Sequence, residues 1–465
     1  MVDAGYYQEL FRGLFKGQRI IIVGMPLAGT ADAVKRFRRL GSDRCLVLAT
    51  GPGTGTFPSP DDAEWLILEH RSPDVVTELH AVEALMANPP AGVVEAMDRY
   101  DPDRRALVLA PVVTLGPIPS RMAARRVWGG RPDASLALED KTRIDAFWDR
   151  IGIERAPFVL TPLSITAVRG ASDRMNRGSG TVWAGDAREG LHGGAHLIRW
   201  VRSESDLTGA LSFFSERCDR VRIMPFLEGI PCSIHGLVFA DDIVTIRPVE
   251  LVTLRPRDGA KFLYAGAATY WDPSNADREY MRGVARRVGE AFRAQVGPGT
   301  FTVDGVMTVD GFRPTELNPR FGAGLSVMAR GLPDLPLILI CQALQGGEAL
   351  DYRPRELEEM LVQGADAHRS GGGWTTMKRV EQESHEHALA RANGDYRLAA
   401  PGEPADASVL IGPSNIGGFV RFTPDPTRTP RGPSIAPAVV AAFALADREL
   451  GTELGSLSAA RPVRG

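Results

Sequence analysis

The stretch 300–324, TFTVDGVMTVDGFRPTELNPRFGAG, decides how the rest of the chain is read. Apolar and polar residues alternate in period two on both sides of a turn at Val309-Asp310-Gly311, so the segment is predicted to be a β-hairpin. Asp304 lies on the first strand. Glu316 and Asn318 lie two apart on the second, where residues i and i+2 face the same way. Counting back from the turn sets Asp304 opposite the Glu316–Asn318 stretch. Two carboxylates and an amide oxygen on one face form a hard-oxygen set suited to Mg²⁺, which takes one or two carboxylates plus substrate phosphates. Arg320, again i+2, points the same way and is placed to pair with a phosphoryl or carboxylate oxygen. A hairpin whose polar face is simply solvated has the same pattern, so the surrounding sequence must decide.

The chain has 465 residues, 44% hydrophobic and 24% charged, enough for two to four globular units at about 150 residues each. Its 54 Lys and Arg against 57 Asp and Glu leave a net charge of −3. That near-balance argues against a general electrostatic grip on nucleic acid or an anionic membrane. Only five of the cations are lysines, namely Lys16, Lys35, Lys141, Lys261 and Lys378, so each is a stronger functional candidate than a lysine usually is. Four dispersed cysteines form no CxxC pair, which speaks against a disulfide framework or zinc knuckle and for a reducing cytoplasm. The start of the chain has no long apolar run of the signal-peptide kind. The most apolar segment, LPLILICQAL at 335–344, falls short of the ~20 residues of a membrane span. A soluble, cytoplasmic protein is expected.

Working outward, strands at Arg19–Val23, in DRCLVLATG and in RRALVLAP alternate with helical segments, predicting a parallel Rossmann-like α/β unit over roughly 1–125. A helix carries Ile144, Phe147, Trp148 and Ile151 on one face. TVWAGD, a glycine-rich loop and LIRWV predict strand, loop and strand, followed by a helix capped by Ser205 or Asp206. Residues 219–254 alternate in period two around an ADD turn and read as antiparallel sheet. Beyond the central hairpin come a helix near 335–348, the glycine run Gly371–Gly373 (an ordinary loop or a hinge), a polar helical stretch at 384–388, a strand pair around 407–424 and a final helix at 435–450. VGMPLAGT and GPGTG lack the dinucleotide-binding spacing and read as turns. His192 and His196 have i, i+4 spacing, but the intervening glycines favour a loop role over a zinc site.

The hairpin with its NPRFGAG exit resembles the metal-binding hairpin of the ATP-grasp superfamily: an acid, about twelve residues, E-x-N, then a basic residue and small glycines. Upstream features follow in the family's order. LEDK resembles its first nucleotide lysine, here Lys141, leading into a helix and a Gly-Ile-x-x-Ala-Pro exit. The loop Gly190-Leu191-His192-Gly193-Gly194 resembles the glycine-rich loop that closes over the β- and γ-phosphates through backbone N–H groups. RIMPFLEG resembles the interdomain hinge, which implies Met224, Phe226 and Leu227 around adenine. GAKFLY, with Lys261, is similar to the phosphate-contacting segment of D-alanine–D-alanine ligases. One place departs from the pattern: a lysine usually ends the strand before the glycine-rich loop, and here that site reads Ala184. Either Arg177, Arg188 or Arg199 supplies the charge, or α/β-phosphate binding is altered.

The resemblance covers roughly residues 130–350 and implies an α/β (α+β) chain with an ATP-grasp domain at 126–350. Residues 126–228 would be its smaller nucleotide-clamping part and 229–350 its metal-binding part. A Rossmann-like pre-ATP-grasp domain (1–125) precedes it and a C-terminal α+β extension (351–465) follows. The implied cofactors are ATP and Mg²⁺. The implied reaction is ADP-forming: a carboxylate is phosphorylated, an amine attacks the acyl phosphate, and an amide forms. Arg320 and Lys261 would be the catalytic cations, with Asp304, Glu316 and Asn318 holding the metal. Arg255 or Arg257 could bind a substrate carboxylate, or be ordinary exposed arginines of an arginine-rich chain. The overall plan looks like the ATP-grasp peptide ligases of pheganomycin-type antibiotic biosynthesis. That implies a small, guanidino-containing carboxylic acid, an amino acid or peptide amine and room for a homodimer. A ligase using another nucleophile and a degenerate ATP-binding regulatory module share the same pattern.

Overall fold

The computed structural model describes residues 3–24, 26–188, 190, 193–392 and 394–463, and their strands form four sheets. The first contains β1 (Ile20–Val23), β2 (Cys45–Ala49), β3 (Ala63–Ile67), β4 (Leu107–Leu109), β5 (Arg121–Met122) and β6 (Arg125–Trp128) in the order β3-β2-β1-β4-β6-β5. Its pairings are parallel except β5 with β6. Both faces are covered, which is why β1 and β2 are apolar throughout rather than alternating. Ile20 and Ile22 pack with Phe11, Phe15 and Phe37 on one side, while Ile21 and Val23 pack with Val82, Met86 and Met97 on the other. The first of these clusters runs on into Leu325, Leu337, Ile340 and Leu357, so this unit shares a core with helices of the central region.

The second sheet is antiparallel, with β7 (Val159–Pro162), β8 (Thr181–Gly185), β9 (Ile198–Val201) and β10 (Arg220–Pro225) in the order β7-β10-β8-β9. The helix Glu204–Arg217 packs beside it. Its cap is Ser203, not the expected Ser205 or Asp206. Ser203 and Asp206 bond reciprocally to each other's backbone N–H in a capping box, which satisfies two otherwise unpaired donors.

After a short connection the chain enters the third sheet, formed by β11 (Ile230–Val238), β12 (Ile243–Thr245), β13 (Val249–Pro256), β14 (Leu263–Ala268), β15 (Gly299–Thr308) and β16 (Gly311–Asn318). Its main path is β14-β13-β11-β15-β16. The helix Asn275–Gln295 covers it, burying Met281, Val284, Val288 and Phe292 against Ile234, Phe301 and Val303. A fourth sheet holds β17 (Gly373–Met377), β18 (His385–Ala392), β19 (Asp395–Leu398), β20 (Ala407–Ser414) and β21 (Gly417–Pro424), ordered β17-β21-β20-β18-β19 and packed on the helix Ala436–Leu450. The polar residues at 385–388, expected to be helical, belong to β18. Pairing with both β20 and β19 overrides their local preference. A last strand, β22 (Leu457–Ser458), returns to pair with Arg255 and Pro256 of β13. Among the described residues no helix is long and apolar enough to cross a membrane.

Candidate functional site

The hairpin β15–β16 runs in simple register from Thr308 opposite Gly311 down to Gly305 opposite Pro314, and then slips by one. Asp304 lies opposite Glu316 instead of Thr315, and Thr302 lies opposite Asn318. This bulge sets the site's geometry. Directly paired residues share a face, so without the slip Glu316 and Asn318 would fall on the face opposite Asp304. Thr315, the extra residue, donates its hydroxyl to the Asp304 carbonyl at 3.2 Å.

A chain of charges grows from this face. Lys141 Nζ lies 3.0 Å from Glu316 and is only 6% exposed. Asn318 Nδ2 donates to Asp304 Oδ2 at 2.8 Å and to Glu316 Oε1 at 3.2 Å, and its Oδ1 accepts from Arg320 Nη2 at 3.1 Å. Arg320 turns its other donors to Glu139, with Nη2 at 3.0 Å and Nε at 3.1 Å. Glu139 also pairs with buried Arg131, which donates onward to the Leu115 carbonyl. Burial, then the Glu316 charge, pushes the Asp304 carboxyl well above its ordinary range. Burial pushes Glu316 up as well, but Lys141 and hydrogen bonds from Asn318 and Asp304 outweigh it and hold that carboxylate at about 2.

The donor set fits a divalent cation. Asp304 Oδ1 is buried and has no hydrogen-bond partner among the described residues, a costly state for a carboxyl oxygen that a cation between the two acids would relieve. Asn318 presents its amide nitrogen to the carboxylates, and a half-turn of the amide would offer the oxygen. Among the described residues no group of three or more His, Cys, Asp or Glu side chains is placed to hold a metal. The set is two carboxylates and an amide.

Around this center the other expected residues fall in distinct places. Gly193 stands against Arg320: a Cβ there would lie 3.5 Å from Arg320 Nη2 and 3.7 Å from Leu115 Cδ2. Gly190 and Gly194 have φ of 97° and 58°, backbone that glycine adopts readily. His192 lies outside the described residues. Met224 is the next-to-last residue of β10, and Phe226 is held by its N–H on the Gly180 carbonyl at 3.1 Å. The Phe226 ring stacks on Trp200 (4.4 Å, 19°), which is flanked by Phe262 (5.7 Å, 10°). Leu227 follows in the connection to β11. Arg255 lies 4.8 Å over the Phe226 ring and forms a two-bond pair with Glu228 at 2.7 and 3.0 Å. Its guanidinium is thus committed to the connection between β10 and β11. Arg257 is exposed on the following loop. Lys261 sits on that same loop, which is tied to β9 by Trp200 N–H on the Ala260 carbonyl at 2.7 Å. Desolvation and the nearby Arg199 hold its ammonium below the usual range, and no ion pair joins it to the hairpin acids among the described residues.

At the departing position, Ala184 pairs with Arg222 on β10. Arg222 is 1% exposed and bound to Asp145 through two bonds of 2.6 and 2.7 Å. Arg188 is turned toward the Glu216 and Cys218 carbonyls and Asp219. Arg199 lies 3.6 Å over the Phe213 ring. The guanidinium directly across from Ala184 is therefore none of the three arginines considered from sequence. Glu139, Arg131, Arg222 and Trp200 also join these groups, the last three without a local pattern that points to them. Only Glu139 carried a signal, two residues before Lys141 in LEDK.

No protein-family model matches the sequence, and no curated protein matches it. Solved structures do. Pyruvate carboxylase of Rhizobium etli, described with the activator acetyl coenzyme A, matches at TM-score 0.51 and 15% identity over 88% of this chain and 36% of that one. Carboxyaminoimidazole ribonucleotide synthase of Aspergillus clavatus, complexed with ATP, matches at 0.49 and 11% over 94% and 98%. The biotin carboxylase domain dimer of 2-oxoglutarate carboxylase from Hydrogenobacter thermophilus, with MgADP, ADP and bicarbonate, matches at 0.47 and 12% over 96% and 91%. At such identities the likeness concerns the fold. The α/β class expected from the sequence, an ATP-grasp fold behind a Rossmann-like unit with a C-terminal α+β extension, is the one observed.

Proposed function

We propose that this chain is an ADP-forming ATP-grasp ligase that activates a carboxylate as an acyl phosphate and joins it to an amine, with peptide-bond formation in natural-product biosynthesis as its setting. The observation that carries this reading is the buried run Lys141–Glu316–Asn318–Arg320–Glu139, beside an Asp304 oxygen that lacks a partner among the described residues. Cations and acids of this kind, buried and interlocked, are costly unless they serve a ligand or a unique geometry.

In the proposed reaction Asp304, Glu316 and Asn318 would hold Mg²⁺, which would supply positive charge for the phosphates of ATP. Lys141 and Arg320 stabilise charge that builds on phosphoryl oxygens, with Gly193 packed beside Arg320. One carboxylate oxygen of the acid bonds to the γ-phosphorus as the bond to ADP breaks. The amine nitrogen then bonds to the acyl carbon, phosphate departs with the electron pair of the broken C–O bond, and the amine gives up a proton. Phe226, Trp200, Met224 and Leu227 receive the adenine, and Lys261 approaches the phosphates when its loop closes. In this scheme 1–125 is the pre-ATP-grasp domain, 126–350 the catalytic domain and 351–465 the extension.

ADP release measured over a panel of carboxylic acids and amines tests the reading. Stimulation by a matched pair, with an amide of the summed mass less water, is the expected result. If the chain binds MgATP and no pair stimulates release, a binding module replaces the ligase.

A further inference from the structure

A cleft of about 1000 Å³ lies between the first unit and the central region, and no residue of the β15–β16 hairpin lines it. Its floor is apolar, with Ile22 of β1, Leu109 of β4, Phe37 and Leu339, all buried. Its walls are the helices Ala31–Arg39, Ala323–Gly331 and Leu337–Gln345.

The topology of the first sheet puts a cleft here. From β1 the chain passes through the helix Ala31–Arg39 to β2 on one side, and from β3 it returns to β4 on the other, so the strand order reverses between β1 and β4. In an open parallel sheet such a reversal parts the flanking connections and opens a crevice beyond the carboxyl ends of the strands, where ligands bind. Val23, the last residue of β1, and Ala110 and Pro111, just past β4, line the cleft at this point. Buried Gln342 fastens the helix Leu337–Gln345 to the same place, its Nε2 donating to the Ala110 carbonyl at 3.1 Å.

The charges around the cleft do not balance. Asp62 is taken by Arg38 at 3.2 Å. That leaves Lys35, Arg36 and Arg39 on one wall and Arg330 on another, against Asp32 alone. Among the described residues none of these four cations has an ion pair or a side-chain hydrogen bond. Arg36 and Arg39 are three apart on their helix and therefore neighbours on its surface. Arg36 is half-buried, and burial, then the Arg39 charge, holds its guanidinium below the ordinary range. An anion at this pair would offset both costs.

We propose that this cleft is a second ligand site, separate from the hairpin, and that it takes a small organic anion whose apolar body lies on the floor and whose phosphate or carboxylate meets Arg36 and Arg39. The cleft has the volume of a small-molecule site, and the planar fork of arginine pairs with either head group. Arg330 adds positive charge from the facing helix. The proposal does not depend on the ligase reading.

Calorimetric titration of the full chain with 1-naphthyl phosphate, 1-naphthoate and neutral 1-naphthol, each with and without MgADP, tests this. At least one of the two anions is expected to bind one-to-one, about tenfold or more tighter than naphthol and equally well in MgADP; the tighter of the two identifies the head group. Arg36→Gln and Arg39→Gln should each weaken that binding about tenfold, the loss of one charge-assisted contact. Arg99→Gln, on the helix Ala91–Tyr100 outside the cleft, should leave it unchanged. Arg39 is exposed, so its variant keeps the fold and the test stands if Arg36→Gln does not. Binding of neither anion, binding no tighter than that of naphthol, displacement by MgADP, or affinity that survives Arg39→Gln overturns the proposal.

Discussion

The hairpin β15–β16 and the aromatic group of Trp200, Phe226 and Phe262 differ in how they are built. At the hairpin, ionised side chains are buried and interlocked, so each holds its neighbour's position and charge state. At the aromatic group, parallel rings and an Arg255–Glu228 pair leave two of the three rings half-exposed. Under the proposed function the contrast would match the two ends of a nucleotide. Buried charge fixes phosphates and metal at one geometry, whereas stacking accepts a flat base with little positional demand.

Perturbing each side should give effects of different kind and size. Glu316→Gln removes one metal oxygen's charge and the partner of Lys141. It should lower acid-dependent ADP release by about 10²–10³-fold, with the far-UV circular dichroism unchanged; near-wild-type turnover would remove the metal assignment. Glu139→Ala leaves Arg131 and Arg320 buried without their carboxylate and should cost about 3 kcal/mol of stability in urea unfolding. Unchanged stability would mean that the relay is not the interlocked unit described. Trp200→Ala, on the stacking side, should weaken MgATP binding by about tenfold and leave turnover at saturating ATP within a few-fold. A large loss of turnover with unchanged affinity would blur the division between the two regions.

The smallest effect concerns a buried acid outside both. Glu250 accepts N–H groups of Ile435 and Ala436 and the Ser434 hydroxyl at the start of the final helix. Burial nonetheless pushes its carboxyl from 4.5 up to about 7. The folded state then binds the proton more tightly than the unfolded state. Its contribution to stability is full below pH 4.5 and is lost as pH rises through 7. Glu250→Gln should flatten that part of the stability–pH curve, and an unaltered slope would show that Glu250 is ionised in the fold.

Much of the fold and part of the site could be read in the sequence, for identifiable reasons. The turn, the two strands and the acids of the hairpin announce themselves through period-two alternation. The register does not: the count from the turn sets Asp304 opposite the Glu316–Asn318 stretch, but strict pairing on from Gly305 and Pro314 would give Thr315, and only the slip there aligns Asp304 with Glu316. A bulge leaves little trace in alternation alone. Arg255 reads from sequence as a candidate for a substrate carboxylate, but its partner is Glu228 from the connection between β10 and β11, a long-range choice no local pattern encodes. The same holds for Arg222 across from Ala184, and for the run Gly371–Gly373, which reads as a loop until β14 is seen beside it. Ser203 was missed for a different reason: Ser205 and Asp206 compete for the cap in sequence, and only the reciprocal Ser203–Asp206 bonds decide between them.

The central claim is that these residues move a phosphoryl group onto a carboxylate. The most direct measurement incubates the full chain with ATP, Mg²⁺, an amine mixture and carboxylic acids labelled with ¹⁸O in both carboxyl oxygens, and then weighs the released phosphate. An acyl phosphate transfers one carboxyl oxygen, so phosphate carrying a single ¹⁸O is predicted, at a level that falls with amide formation in Glu316→Gln. Unlabelled phosphate accompanying amide formation and ADP release would contradict it.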